Sequence, residues 1–198
     1  MPHAISLGVG EPDFDTPWHV RSEGIRSLEK GRTFYTSNSG LIELRQEICK
    51  WYQRKYNVLY DYKTEALLTV GGSGGLAVAL RAMLDPGDEV IIPEPCYVSY
   101  VPCVQLIGAV PVTIELKNEN QFRLTPEELL AAITDKTKIL ILAFPSNPTG
   151  AVMTKEDLEP IAKICQEKDI YVISDEIYSE LTYGGQKHCS IFFFPCVD

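Results

Sequence analysis

At 198 residues, with 45% hydrophobic and 23% charged content, the chain has the balance of a globular protein with room for one sizeable core or two small ones. Its 27 acidic against 18 basic residues, a net charge of -9, exclude the basic footprint of a nucleic-acid or anionic-membrane binder, so an anionic ligand needs a local site. The longest strongly apolar run, Ile139 to Phe144, is far short of the roughly 20 residues that span a bilayer, and the first residues carry no secretory leader pattern.

Six cysteines, Cys49, Cys96, Cys103, Cys165, Cys189 and Cys196, lack the close pairing of a zinc site or a redox CxxC. The expectation is a cytoplasmic protein of one domain with no metal and with reduced thiols that read as small semi-buried residues, Cys196 near the end included over the alternative that it is exposed.

In chain order, SLGVGEPDFDTPWHV is rich in Gly and Pro and reads as a loop, followed by a helix from about Pro17 to Glu29 that Gly31 ends. After the loop RTFYTSNSG, Leu41, Leu44, Ile48, Tyr52 and Tyr56 recur at helical spacing. The Tyr and Trp residues of that helix read as packing groups. From Ala66 the pattern becomes regular: strand 66 to 70, helix 73 to 84, the turn Asp85-Pro86-Gly87-Asp88, and strand 89 to 92. A helix-like stretch from Tyr97 to Ile107 precedes a strand from Ala109 to Glu115. Thr125-Pro126-Glu127-Glu128 then opens a helix with a capping box and Pro at its first position. Lys138 to Phe144 is apolar enough for a strand buried on both faces, Thr154 starts another helix, and Ile170 to Ser174 is another strand.

Such alternation predicts an α/β fold with helices on both faces of a mainly parallel sheet, whose ligands lie outside the carboxyl ends of the strands. Polar clusters fall at those ends: Gly71 to Ser73, the run Pro145 to Gly150, and Asp175-Glu176-Ile177-Tyr178. The stretch TVGGSGGL, Thr69 to Leu76, has two readings. As a G-x-S-x-G elbow it makes Ser73 a nucleophile. As a phosphate cradle it brings backbone N–H groups of a helix start to an anion. Asp175 ends an apolar strand, where a carboxylate needs a cation or hydrogen-bond donors. A protonated heterocyclic nitrogen would serve, with Tyr178 and Asn147 donating to an oxygen on the same ring. Ser73, Asp175 and His188 also occur in the order of an α/β-hydrolase triad, but no HGGG-like segment precedes them and GGQKHCS reads as a solvated loop.

Taken together, LGVGEPDFDTP (7 to 17), YTSNSGLIELR (35 to 45), TVGGSGGLAVALRAMLDPGDEVIIPEPCYVSY (69 to 100), FPSNPTGAV (144 to 152) and VISDEIYSELTY (172 to 183) resemble the fold-type I aminotransferases that use pyridoxal phosphate (PLP), in the aspartate/aromatic class I/II group. The resemblance implies a short N-terminal segment over residues 1–34 and an incomplete PLP-binding large domain over 35–198, with the small domain largely missing. It implies that Gly71, Gly72 and Ser73 hold the phosphate and that Tyr97 stacks on the pyridine ring. Asn147 and Tyr178 would bond the phenolic oxygen, and Asp175 would pair with the protonated ring nitrogen. Gly10 would lie beside the substrate carboxylate. Tyr35 would reach the phosphate of the neighbouring subunit, which implies a homodimer.

Gly74 and Gly75 depart from the better helix formers of relatives and predict a looser helix start. At the ends, the resemblance implies that an N-terminal arm is missing and that the Schiff-base lysine lies beyond Asp198, so no catalytic residue is present. Lys187 lacks the family's Ser-Lys context and is not a substitute. The expected function is amino transfer from an amino acid to a 2-oxo acid, with the chain inactive by itself. The alternatives are a non-catalytic module that binds PLP or a partner, and a serine esterase using Ser73.

Overall fold

The computed structural model describes residues 8, 10, 11 and 14–194. Cys196, and parts of the 7-to-17 motif, lie outside the described residues. The chain divides into two compact units, residues up to Leu68 and residues from Thr69 onward.

The first unit holds helix α1 (Trp18–Glu29) and helix α2 (Ile42–Tyr56). Gly31, at φ +65, follows the last turn of α1 and lets the Arg32 amide turn back to the Ser27 carbonyl, as a C-terminal glycine does. On α2, Trp51, Tyr52 and Tyr56 pack edge-on or tilted against one another, with Tyr60 against Tyr52. The ring faces are thus spent on packing. Arg45, the buried residue of this helix, donates through its guanidinium to the Tyr62 carbonyl at 3.0 Å. The predicted strand over 66 to 70 does not form. Among the described residues no ladder pairs with it, and the single bond from the Leu68 amide to the Ser39 carbonyl at 3.1 Å does not make a strand.

In the second unit, four parallel strands, β1 (Glu89–Glu94), β2 (Val110–Glu115), β3 (Thr137–Ala143) and β4 (Tyr171–Asp175), lie in the order β2-β1-β3-β4. Side chains alternate between the two faces. Val90, Ile92, Ile139 and Ile141 face one core cluster with Leu76, Leu80, Tyr100 and Val104 of helices α3 (Gly71–Met83) and α4 (Tyr100–Gln105). Ile91, Leu140 and Leu142 face the other, with Leu129 of α5 (Pro126–Ala132) and Leu158 and Ile161 of α6 (Lys155–Glu167). The sheet is therefore covered on both sides, as the continuous apolar run of β3 predicts, and each such buried side chain contributes about 1.5–3 kcal/mol.

The capping box at Thr125 forms as predicted, and a second one joins Thr154 to Asp157 at the start of α6. Helix α4 is shorter than the stretch from Tyr97 to Ile107, because residues before Tyr100 form a turn after β1.

From β1 the chain moves outward to β2, then crosses over to β3 on the opposite side of β1. The carboxyl ends of β1 and β3 therefore flank a topological switch point, where the loops part and leave a crevice.

Candidate functional site

That crevice is a cleft of ≈ 390 Å³ walled by residues from four places in the chain: Gly72, Ser73 and Leu76 of α3, Tyr97 and Tyr100 after β1, Asn147 after β3, and Asp175 at the end of β4 with Tyr178 just beyond it. The register explains why these ends meet. Ala143, the last residue of β3, stands opposite Asp175, the last residue of β4, so the loops that follow leave the sheet side by side.

Helix α3 contributes its start. Gly71 has φ +74, which glycine adopts without a Cβ clash, and its amide turns back to the Thr69 carbonyl at 3.0 Å. No side chain caps the helix, so the next amides, Gly72 and Ser73, are left without intrahelical acceptors at the positive end of the helix dipole. Gly74 and Gly75 both lie within the helix, which runs unbroken from Gly71 to Met83.

Tyr97 is partly exposed at the rim, its phenol oxygen 3.4 Å from Ser73 Oγ. The Ser73 hydroxyl, with Ser99 adding to it, holds the Tyr97 phenol below its ordinary range. Its ring meets that of Tyr100 edge-on, with centroids 5.7 Å apart.

Asp175 satisfies its strand-end carboxylate with donors. Tyr100 Oη donates to Oδ2 at 2.8 Å and the Ile177 amide to Oδ1 at 3.2 Å. Among the described residues no ion pair reaches it. Burial first, and then the bond to Asp175, push the Tyr100 phenol far up, so it remains a protonated donor.

The cleft brings together Gly72, Ser73, Tyr97, Asn147, Asp175 and Tyr178, with Gly71 beginning the helix beside them. Gly10 and Tyr35 belong to the first unit, and both are exposed.

Sequence reasoning missed two features. Tyr100 reads as one more aromatic in a helical stretch, although its spacing of three from Tyr97 could have marked a shared face. Glu176 reads as part of a polar cluster, yet its carboxylate accepts from Ser174 Oγ at 2.9 Å and from Ser190 Oγ, and His188 Nε2 lies 3.2 Å away. His188 is therefore not the solvated loop residue expected. Its side chain is 7% exposed and lies against Glu176, away from the line a hydrogen bond needs. That placement also removes the triad of Ser73, Asp175 and His188, because the imidazole serves a different carboxylate.

Among the described residues no helix is long and apolar enough to cross a membrane, and no cluster of His, Cys, Asp and Glu could hold a metal.

The family described as aminotransferase class I and II matches residues 2–195. The aspartate aminotransferase of Bacillus subtilis (strain 168) is 45% identical over 187 residues, which cover 94% of this chain and 47% of that protein. Aromatic-amino-acid aminotransferase 2 of Thermococcus litoralis is 44% identical over 187 residues, covering 94% and 48%. The crystal structure of the aromatic aminotransferase from Pyrococcus horikoshii OT3 superposes with a TM-score of 0.93 at 45% identity, over 96% of this chain and 51% of that one. The chain thus spans about half the length of the relatives it matches. On the family match, the shared α/β fold and these identities, the chain belongs to the class I and II aminotransferases, a PLP-dependent family.

Proposed function

We propose that the complete protein transfers an amino group between an amino acid and a 2-oxo acid with PLP, and that these 198 residues supply the cofactor cradle without the amine that would hold the cofactor covalently. The observation that carries this reading is the convergence of an uncapped helix start, an aromatic ring, an amide, a phenol and a carboxylate on one cleft of ≈ 390 Å³.

That donor set fits PLP group by group. The Gly72 and Ser73 amides and the Ser73 hydroxyl suit a phosphate, whose charge the helix dipole favours. Tyr97 offers a flat apolar face to a ring. The Asn147 amide and the Tyr178 phenol suit a ring oxygenate, and Asp175 suits a protonated ring nitrogen. When bound, PLP supplies an electron sink for charge that develops at the substrate α-carbon.

The chain's own part is binding and electrostatics. Asp175 offers its carboxylate to a cationic ring nitrogen, and Ser73 would fix the opposite end. Among the described residues no lysine lines the cleft. The described lining therefore offers no amine to move the α-proton.

Gly10 beside the substrate carboxylate, and Tyr35 contributed across a homodimer, belong to the same proposal. Tyr35 is fully exposed and so open to a partner. A cytoplasmic setting is supported by the thiols of Cys49, Cys96, Cys103, Cys165 and Cys189, all of them free.

Titrating PLP into the 198-residue chain tests this reading. Saturable binding is expected, weakened about tenfold or more by Ser73→Ala or Asp175→Asn, each of which removes a charge-assisted contact. No saturable binding overturns the cradle. With PLP, an amino acid and 2-oxoglutarate, no turnover is expected; a rate near the usual 1–10³ s⁻¹ overturns the inactivity of the chain alone. PLP binding with no turnover in any longer product of the gene would favour a binding module instead.

A further inference from the structure

Tyr100 opens α4 beneath the cleft, 4% exposed, and no role follows for it from the cofactor contacts above. Its phenol gives a 2.8 Å bond to Asp175 Oδ2, and the Ile177 amide occupies Oδ1 at 3.2 Å. Each carboxylate oxygen thus has one protein donor and an acceptor direction left over. A carboxylate held at both oxygens is fixed in rotation. The Ile177 amide alone would leave it free to swing about that bond.

We propose that Tyr100 is a positioning residue: its phenol locks the Asp175 carboxylate in the orientation that presents a negative oxygen to the pyridine nitrogen of PLP. The inference rests on the cofactor reading above and extends it to a residue that acts through Asp175.

The rival role for Tyr100 is packing alone. Its ring is part of the core cluster with Leu76, Leu80 and Val104, and it meets Tyr97 edge-on. Tyr100→Phe keeps that ring and removes only the hydroxyl, so the two roles separate.

The experiment measures Kd of the 198-residue chain for PLP and for the carbocyclic analogue of PLP that has a CH group in place of the ring nitrogen. If Tyr100 positions Asp175, Tyr100→Phe raises Kd for PLP about tenfold and leaves Kd for the analogue within about twofold. In the Asp175→Asn background the same substitution has little further effect on PLP binding, because the two residues act as one unit. Equal losses for both ligands, or no loss for either, overturn the proposal and leave the cofactor reading standing. No binding of PLP by the unaltered chain overturns both.

Should Tyr100→Phe fail to fold, the pair is read from its other member. Ultraviolet titration of the tyrosines should show one phenol that ionises well above the rest and that Asp175→Asn brings down. An unchanged titration overturns the pairing on which the proposal stands.

Discussion

Glu176 Oε2 and His188 Nε2 lie 3.2 Å apart, both side chains largely out of solvent, and Glu176 directly follows the residue that faces the cleft. Neighbouring side chains on an extended backbone point to opposite sides. Asp175 therefore turns to the cleft while Glu176 turns inward to Ser174, Ser190 and His188. This knot ties the loop before residue 190 to the end of β4, and so holds the turn that carries Asp175 and Tyr178.

Acid should loosen that knot. Burial alone would raise the Glu176 pKa, but the close His188 imidazole and the bonds from Ser190 and Ser174 outweigh it and leave the carboxyl below its ordinary 4.5. A folded-state value below the unfolded one means stability that is fully present above about pH 4.5 and lost as pH falls through the folded value. Glu176→Gln should cost roughly 2 kcal/mol in urea unfolding at neutral pH, as expected for charge-assisted bonds at a half-buried site. The gap between variant and wild type should close in strong acid, where both side chains are neutral. A gap independent of pH would show that the charge is not what matters.

The glycines at the start of α3 should respond in a defined order. Gly74 has ordinary helical geometry, and a Cβ there would meet Thr69 Cβ at 3.7 Å, a normal contact. Gly74→Ala should stabilise the chain by about 0.5–1 kcal/mol. Gly75→Ala should give less, since its Cβ would lie 3.2 Å from Thr69 Oγ1. Gly71→Ala should destabilise by about 1–2 kcal/mol, because φ is +74. Denaturant midpoints check the order, and a destabilising Gly74→Ala would contradict it.

What the sequence showed, and what it hid, follows from the range of each signal. The apolar run of β3, the Thr125 capping box and the strand-end position of Asp175 are local patterns, and each appears where it is expected. The segment 66 to 70 has strand composition, but a strand also needs a neighbour. The Tyr100 bond to Asp175 joins positions 75 apart, and the Glu176 bond to Ser190 joins positions 14 apart. Only the parallel register, with Asp175 opposite Ala143 and hence near the end of β1, brings the first pair together. The burial of His188 is hidden for the same reason, since its polar, glycine-rich surroundings in the sequence carry no sign of a buried acceptor.

The thiols nearest the core should be sluggish. Burial, reinforced by Glu94, pushes the Cys96 thiol up to about 11, and burial alone does the same for Cys165. The thiolate is the reactive form, so alkylation at neutral pH should be slow at both and accelerate only toward pH 11. Mass-spectrometric mapping after brief iodoacetamide treatment checks this. Rapid neutral labelling of Cys96 would mean that the turn after β1 opens far more than its packing implies.

Borohydride treatment of the PLP-loaded chain separates a cradle from a complete active site. Reduction traps a cofactor only where an amine has condensed with its aldehyde. The cleft offers a helix start, two tyrosine phenols besides Tyr100, an amide and a carboxylate, but no lysine among its described lining. Lys187 is exposed, two residues after the Gly184-Gly185 turn, where it has no reason to outcompete the other surface lysines. Reduction should therefore give only scattered, substoichiometric adducts, and dialysis should remove nearly all the PLP that had bound. One stoichiometric adduct at a single lysine would mean that this chain carries its own covalent anchor. Its position would then mark the amine that the cleft recruits.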